Sequence, residues 1–253
     1  METFNTKYGK ITLRKNEKFI GSVFRSGKYW DEDTLLSLQQ YIDPDRNILE
    51  LGGHAGTSTI VYASFLNKGH VDVYEPQRKQ YKLLNKNIYD NDLEDKICPH
   101  NAAVFCFEGN GKMNNIDLDG GGSIITEAYD NNCNTLCNFG GLSLGSEGEE
   151  VRFKVVDKTN ISNIGYIHAD LQGAEPWAFY GSRELIKRDR PVILYENISL
   201  YGKYFYNLIK ESYPEYKKES EFDIKKYCME ELGYSKFIDR YGGKDSIDTL
   251  LLP

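Results

Sequence analysis

Long apolar runs are missing from this chain of 253 residues, and none approaches the roughly 18 consecutive apolar residues that a membrane-spanning helix needs. The first 14 residues also lack the apolar core of a secretory signal, so we expect a cytoplasmic protein with no membrane partner. Cysteine is scarce as well. The five cysteines are odd in number and irregularly spaced, which favours reduced thiols over a disulfide framework.

Clustered positive charge is absent too. Lysine and arginine number 31 against 38 aspartates and glutamates, which gives a formal net charge of −7. The longest basic feature, 217–226, is interrupted by Glu219 and Glu221. A net-acidic chain without a basic block is poorly suited to gripping a phosphate backbone, so we expect no nucleic-acid partner.

Short apolar segments and amphipathic segments alternate along most of the chain. The predicted strands are 47–51, 70–75, one within 97–107, 164–170 and 191–196, and the predicted helices are 57–66, 79–89, 175–187 and 201–210. Two last strands, within 234–240 and 249–252, follow without a long helix between them, which predicts one antiparallel strand. This rhythm predicts a single α/β domain over 1–253, with a doubly wound, mostly parallel sheet of seven strands.

Two regions depart from that rhythm. In an N-terminal extension, 1–46, weak alternation within 8–25 predicts short strands, and the acidic residues 31–33 precede an amphipathic helix that Pro44 ends. A long insertion loop, 109–146, is rich in glycine, asparagine and aspartate. Because such a loop offers little apolar surface to hold it down, we expect a lid that is mobile until ligands bind.

The strongest local signal is the segment 49–56, LELGGHAG, between a predicted strand and a predicted helix. Glycines there allow a sharp turn and close approach of a ligand, and the helix start at Thr57 and Ser58 supplies hydrogen-bond donors. The spacing is not G-x-G-x-x-G, which argues against a dinucleotide and a hydride-transfer enzyme. Glu50 would repel a phosphate, and it suits a ligand that carries an amine or a sulfonium cation.

The second signal is Glu75, at the end of the next predicted strand. A carboxylate at this place can accept the hydroxyl protons of a ribose. Taken singly, a glycine turn can be purely structural and a lone glutamate can be merely solvated. Together and in this order they favour a nucleoside-containing, cationic ligand.

Further segments follow in a recognisable order. They are 74–77 (YEPQ), 87–88 (NI), 101–104 (NAAV), 138–144 (NFGGLSL), 168–175 (HADLQGAE), Gly181 and 190–197 (RPVILYEN). This order resembles that of the FkbM-type S-adenosylmethionine-dependent methyltransferases, from about residue 8 to residue 252. The resemblance implies the Rossmann-like class I methyltransferase fold and methyl transfer to hydroxyls, often those of sugars or polyketides.

The resemblance and the two local signals together imply a binding site for S-adenosylmethionine. Its predicted residues are Glu50, Gly52, Gly53, His54, Gly56, Thr57, Ser58, Glu75, Pro76, Ala102 and Asp170. The chain departs from the family at 53–54, where Ala-Asn is common, and at 168–173, where Lys-Ile-Asp-Val-Glu-Gly is common. Gln172 lacks the family's charge there, so the role of that carboxylate cannot be transferred.

Asp170 is the first candidate for the catalytic carboxylate, because it ends a predicted strand at the edge where ligands bind in this fold. Glu196 and Asn197 end the next strand, and these oxygen ligands suit Mg²⁺ or Mn²⁺. The set resembles the metal site of catechol-type O-methyltransferases. In the alternative, Asp170 holds the cofactor's amine or a loop N–H and Glu196 orders the following loop.

His168 shares a side of its strand with Asp170 and is a second candidate base, with a core histidine as the alternative. We therefore expect an O-methyltransferase that acts on a hydroxyl of a sugar or glycan. A catechol-type phenol or small-molecule O-methyltransferase and a non-catalytic cofactor-binding module are the alternatives. The oligomeric state is not predicted.

Overall fold

The computed structural model describes residues 1–15, 17, 19–114, 143–197 and 204–253. The strands in these ranges are β1 (Glu2–Thr6), β2 (Gly9–Leu13), β3 (Asn47–Leu51), β4 (Val71–Tyr74), β5 (Ile97–His100), β6 (Ala103–Val104), β7 (Gly109–Asn114), β8 (Ser143–Gly145), β9 (Glu149–Lys154), β10 (Ile164–Ala169), β11 (Val192–Glu196), β12 (Lys236–Asp239) and β13 (Asp248–Leu252).

Helices connect and cover these strands. The α-helices in the same ranges are α1 (Ile20–Arg25), α2 (Glu32–Leu38), α3 (Thr57–Phe65), α4 (Arg78–Tyr89), α5 (Glu175–Tyr180), α6 (Arg183–Asp189), α7 (Tyr204–Ser212) and α8 (Ile224–Lys226). Short 3₁₀ turns lie at Gln39–Tyr41, Val156–Lys158, Pro214–Tyr216 and Glu219–Glu221, and a π turn at Tyr227–Glu231 follows α8. No helix in the described ranges is long and apolar enough to cross a bilayer.

The central sheet has seven strands in the order β12-β13-β11-β10-β3-β4-β5. The pairs β10–β11, β10–β3, β3–β4 and β4–β5 are parallel, whereas β13 is antiparallel to both β11 and β12. The predicted doubly wound α/β sheet with one antiparallel strand is therefore confirmed. Strand order reverses between β3 and β10, and ligands of open α/β sheets bind outside the carboxyl ends of the strands at such a reversal.

Both faces of this sheet are buried, as strand alternation requires. Ile48 of β3 packs into a layer with residues of α2, α3 and α4, while its neighbour Leu49 packs into a second layer with residues of α5 and α6. The helix predicted over 175–187 is split in two at Gly181. A side chain there would lie 2.3 Å from the Phe105 carbonyl oxygen, so this close approach requires glycine.

The N-terminal extension differs from its prediction in two elements, because β1 lies before the segment in which strands were predicted and α1 replaces a predicted strand. Strand β2 lies where the alternation indicated, but 20–25 forms α1 and not a strand. The Glu17 carboxylate accepts the backbone N–H groups of Phe19 and Gly21 and so begins the helix. Phe24 then packs on Phe4 and Tyr29, with ring centroids 5.4 Å and 4.9 Å away.

The two ends of the predicted insertion loop are strands. Strands β7 and β8 pair antiparallel within a four-stranded sheet of order β6-β9-β7-β8. Gly111 of β7 faces β9, where any side chain at this position would lie 2.0 Å from the Phe153 ring, so a glycine that favours a loop by sequence is required in this strand. The predicted lid concerns mainly 115–142, which lies outside the described residues.

Candidate functional site

The glycine turn after β3 lies at the point where strand order reverses. Gly52 has a φ of +94°, and a side chain there would lie 2.0 Å from the Asp170 carbonyl oxygen, so only glycine fits between the two loops. The N–H groups of Gly52 and Gly53 both donate to the Tyr74 carbonyl at 2.9 Å. Gly56 has a φ of +86° and begins α3. The turn is therefore fixed between β4 and β10.

Glu50 is fully buried beneath this turn. Its Oε1 accepts a hydrogen bond from Ser58 Oγ and lies 3.5 Å from His168 Nδ1. Burial opposes protonation of His168, but the Glu50 carboxylate outweighs it and the pKa of the imidazole is raised. Glu50 Oε2 is buried without a hydrogen-bond partner in the structure. Ser58, predicted to contact the cofactor, thus donates to Glu50, and the partly buried His168 is a second partner of the same carboxylate.

Glu75 follows β4 and is 5% exposed. Its Oε2 accepts the His54 N–H at 2.7 Å, and its Oε1 accepts the Gln77 N–H at 2.8 Å. Burial raises the pKa of this carboxyl to about 8, against the two amides that favour its ionised form. Each oxygen retains a lone pair for a further donor, because a carboxylate oxygen has about two acceptor sites.

The His54 ring lies in the same turn, and its backbone is left-handed with a φ of +47°. Burial lowers the pKa of the imidazole to about 4, so the ring is neutral at neutral pH. Its Nδ1 is buried and has no hydrogen-bond partner in the structure. The turn therefore presents an unsatisfied polar atom as well as a fixed backbone.

The other predicted cofactor residues surround this turn. Thr57 is buried, and its carbonyl oxygen accepts the Tyr29 hydroxyl at 2.7 Å. Ala102 is buried just after β5. The Asn101 side chain donates to the carbonyl oxygen of Pro76 at 3.0 Å and so links the loops that follow β4 and β5.

Asp170 and Glu196, predicted to be neighbours, are joined by one amide. Gln172 Nε2 donates to Asp170 Oδ1 at 2.7 Å and to Glu196 Oε2 at 3.2 Å. Asp170 is exposed after β10, whereas Glu196 at the end of β11 is 8% exposed. Burial, and then the negative charges of Asp170, Glu175 and Asp248, raise the pKa of Glu196 well above its usual range.

Each member of the predicted metal-ligand set, Asp170, Glu196 and Asn197, makes a side-chain hydrogen bond within the protein. The Asn197 side chain donates to Thr249 Oγ1 at 3.0 Å, toward β13. The Gln172 amide already donates to both carboxyl groups. These contacts occupy one oxygen of each carboxyl, and the metal role of Asp170, Glu196 and Asn197 stays a prediction.

Two acidic residues of the site were not predicted. Glu175 is 2% exposed, its Oε1 accepts the Leu171 N–H at 2.8 Å, and burial raises its pKa to about 8. Asp248 pairs with Glu196 across β13 and β11, and burial raises its pKa to about 6. Glu175 lies in the segment 168–175 that carried the resemblance. Asp248 gave no local signal, because only the pairing of β13 brings it to this edge.

No protein-family model matches the chain, and no curated protein is similar to it in sequence. In three dimensions it is similar to the methyltransferase FkbM from Methylobacillus flagellatus KT, with 10% identity and a TM-score of 0.50 over 92% of this chain. The match covers 60% of that protein, so this chain spans three-fifths of its length.

Other solved structures are also similar. The O-methyltransferase TomG from Streptomyces achromogenes, in complex with S-adenosylmethionine, has a TM-score of 0.46 and 13% identity over 96% of this chain and 91% of that one. The O-methyltransferase from Bacillus cereus, in complex with S-adenosylhomocysteine, has a TM-score of 0.45 and 17% identity over 87% and 78% of the two chains. This chain has the Rossmann-like fold of the class I methyltransferases.

Proposed function

We propose that this chain is an S-adenosylmethionine-dependent O-methyltransferase that acts on a hydroxyl of a sugar or glycan. The observation that carries the proposal is Glu75, which two backbone amides hold at the carboxyl end of β4, beside the glycine turn where strand order reverses. A carboxylate fixed in this place is suited to accept ribose hydroxyls.

The chemistry of the surrounding groups fits this cofactor. Glu50 Oε2 is a buried carboxylate oxygen without a partner in the structure, and His54 Nδ1 is a second unsatisfied polar atom. A buried polar atom without a partner costs free energy, and a ligand that forms a hydrogen bond with it removes that cost and so binds more tightly. An acidic pocket also suits a ligand with an ammonium and a sulfonium group. Glu75 would hold the ribose, Ala102 would lie beside the adenine, and the glycine turn would contact the amino-acid part.

S-adenosylmethionine, when bound, supplies an electrophilic methyl group. The acceptor hydroxyl must lose its proton as its oxygen bonds to that methyl carbon, and a positioned base speeds such a step by about 10²–10⁴-fold. Asp170 is exposed at this edge, and Gln172 orients its carboxylate. We therefore assign Asp170 as the base that removes the acceptor's proton. Burial raises the pKa of Glu196 well above its usual range, so Glu196 is less suited than the exposed Asp170 to act as the base.

The choice of a sugar acceptor comes from the sequence resemblance. A catechol-type enzyme would need a divalent cation at Asp170, Glu196 and Asn197, and the bridging amide of Gln172 weighs against that set. This geometry supports proton removal by a carboxylate over activation of the acceptor by Mg²⁺ at these residues.

The test is methyl transfer from labelled S-adenosylmethionine to a panel of monosaccharides, oligosaccharides and catechols. We expect label on a sugar hydroxyl, without any need for added Mg²⁺ or Mn²⁺. Label on catechols alone, and only with Mg²⁺, would assign the protein to the catechol-type alternative. Tight cofactor binding with no transfer to any acceptor of either class would favour a non-catalytic module.

A further inference from the structure

A second group of reactive side chains lies on the face of the central sheet, away from the glycine turn. His70 and Asp72 are two residues apart at β4, and Cys98 and His100 are two residues apart on β5. The two strands are parallel, and Asp72 is paired with Cys98. Because side chains alternate along a strand, residues two apart project from the same face. All four side chains therefore share one face.

The donor atoms of three of these residues are already close together. One ligand atom each of Asp72, Cys98 and His100 lies within 4.8 Å of the other two. His100 Nε2 lies 2.9 Å from Asp72 Oδ1. In a tetrahedral zinc site, bond lengths of about 2.0–2.3 Å place the donor atoms about 3.3–3.8 Å apart. Small side-chain rotations would close the set to that size.

The cluster is accessible from a cavity. The residues that line a space of about 610 Å³ include Asp72, His100, Arg152 and Lys154. The Asp72 side chain is only 7% exposed, whereas that of His100 is 32% exposed. An ion can thus reach the cluster from solvent, and one coordination position would face the cavity.

The donor types select the metal. A thiolate, an imidazole and a carboxylate are the three kinds of ligand that zinc uses in proteins. Mg²⁺ and Ca²⁺ prefer oxygen ligands alone, so Cys98 and His100 disfavour them. In the parts of the chain that the structure describes, this is the single group of three or more His, Cys, Asp or Glu residues with donor atoms so close together.

We infer that Asp72, Cys98 and His100 bind a zinc ion through their side chains, with the fourth coordination position open to the cavity. Cys98 loses its thiol proton to solvent when the metal binds, since the thiolate is the ligand. His70 is a positioning residue, because its Nε2 lies 2.9 Å from the other oxygen of Asp72 and holds that carboxylate in place.

The alternative is a hydrogen-bonded network without a metal. Asp72 lies within hydrogen-bond distance of both rings, and this pairing alone would satisfy the buried carboxylate. That alternative gives Cys98 no role, whereas the zinc site depends on its sulfur. Cys98 is therefore the residue whose replacement separates the two.

The experiment is titration of the reduced, full-length protein with Zn²⁺, and with Co²⁺ as a spectroscopic probe. We expect one ion per chain and a thiolate-to-cobalt charge-transfer band. Cys98→Ser should abolish the band and weaken Zn²⁺ binding at least about 100-fold, and His70→Asn should weaken it about 10–100-fold. Cys106→Ser is the matched control and should change neither, because Cys106 lies outside the cluster.

Absence of stoichiometric Zn²⁺ binding by the wild type would overturn the inference and leave the hydrogen-bonded network. A charge-transfer band that survives in Cys98→Ser would also overturn it and place the metal on another cysteine. Circular dichroism of each variant checks folding, and the exposed position of Cys98 makes its replacement by serine mild. Metal binding is measured without methyl transfer, so the result tests the zinc site independently of the proposed function.

Discussion

At the scale of single residues, Asp170 and Glu196 carry the same functional group in opposite surroundings. Asp170 is exposed, while Glu196 is 8% exposed and has a raised pKa because of burial and three neighbouring acids. Asp170 is the carboxyl of the pair that an acceptor can reach from solvent, and we therefore assign it as the base.

Replacement of Asp170 by asparagine tests this assignment. Asn keeps the size and can still contact the Gln172 side chain, but it cannot accept the acceptor's proton. We expect kcat to fall at least about 100-fold while the affinity for S-adenosylhomocysteine changes little. Single-turnover kinetics and calorimetry measure the two quantities.

The matched control for this variant is Asp95→Asn, an exposed acid that lies before β5. It should retain the wild-type rate. Full activity in Asp170→Asn would show that the base has been misassigned. His168, the second candidate, would then be the next residue to replace.

At the scale of elements, two asparagines attach the N-terminal hairpin to helix α4 and the turn that follows it. The Asn87 side chain accepts the Thr12 N–H at 2.7 Å and donates to the Thr12 and Ala55 carbonyl oxygens at 3.0 Å and 2.8 Å, fully buried. Asn91 makes the same pair of contacts with Lys10, both at 2.7 Å, in a more exposed place. The two side chains act as an additional strand edge for β2.

Asn87→Ala should lower the free energy of unfolding by about 2–4 kcal/mol, because it leaves buried backbone groups of Thr12 and Ala55 without partners. Asn91→Ala removes the same type of contact where water can replace it, and should cost about 1 kcal/mol or less. Urea denaturation of both variants measures the difference. Equal losses would show that burial does not determine the contribution of these contacts.

The elements that could be predicted from sequence are those whose pattern is local. Strands β3 and β4 are short, largely apolar segments, and α4 repeats apolar residues every three or four positions. The strands and the helix can therefore be recognised from sequence alone. Helix α1 was misread because a six-residue segment is too short for its apolar residues to distinguish a helix from a strand. The Glu17 carboxylate, which accepts the N–H groups at the start of the helix, was not recognised as a cap. Strand β7 was missed because four of its six residues are glycine or asparagine, and β8 was missed because it has only three residues.

At the scale of the whole molecule, the buried carboxyls couple stability to pH. Glu75 and Glu175 have pKa values raised to about 8, and that of Glu196 is raised well above its usual range. Unfolded glutamates lose their protons near pH 4.3. Between that pH and about 8 the folded state binds more protons than the unfolded state, so the free energy of unfolding falls as pH rises.

The cleanest window is above about pH 6.5, the usual pKa of histidine, where the depressed pKa of His54 no longer matters. The raised pKa of His168 acts in the same direction as the carboxyls, since its stabilising charge is lost as pH rises. We expect urea denaturation to show a lower free energy of unfolding at pH 8 than at pH 6.5. Glu175→Gln should flatten the slope by up to about 1.4 kcal/mol per pH unit, the contribution of one proton.

This variant retains an oxygen that can accept the Leu171 N–H, which makes it a matched replacement. A wild-type stability that rises from pH 6.5 to pH 8 would contradict the account of these carboxyls. If the free energy of unfolding of Glu175→Gln depends on pH as steeply as that of the wild type, Glu175 does not contribute to the pH dependence.

The site was predictable to the extent that it is local. The glycine turn and Glu75 follow directly from strand ends, and the structure places both at the carboxyl edge of the sheet. The proximity of Asp248 depends on how the last hairpin pairs with β11, and the bridging role of Gln172 depends on its side-chain direction. Neither is encoded in a spacing that can be read along the chain.

Calorimetric titration of S-adenosylhomocysteine into the wild type and Glu75→Ala tests the central claim most directly. The account predicts one site per chain in the wild type and an affinity about 10–150-fold lower in the variant, because the ribose hydroxyls lose an acceptor worth about 1.5–3 kcal/mol. Thermal unfolding of the variant confirms that it is folded. Equal affinity in the two proteins would contradict the placement of the cofactor, and NAD binding in place of S-adenosylhomocysteine would contradict the class.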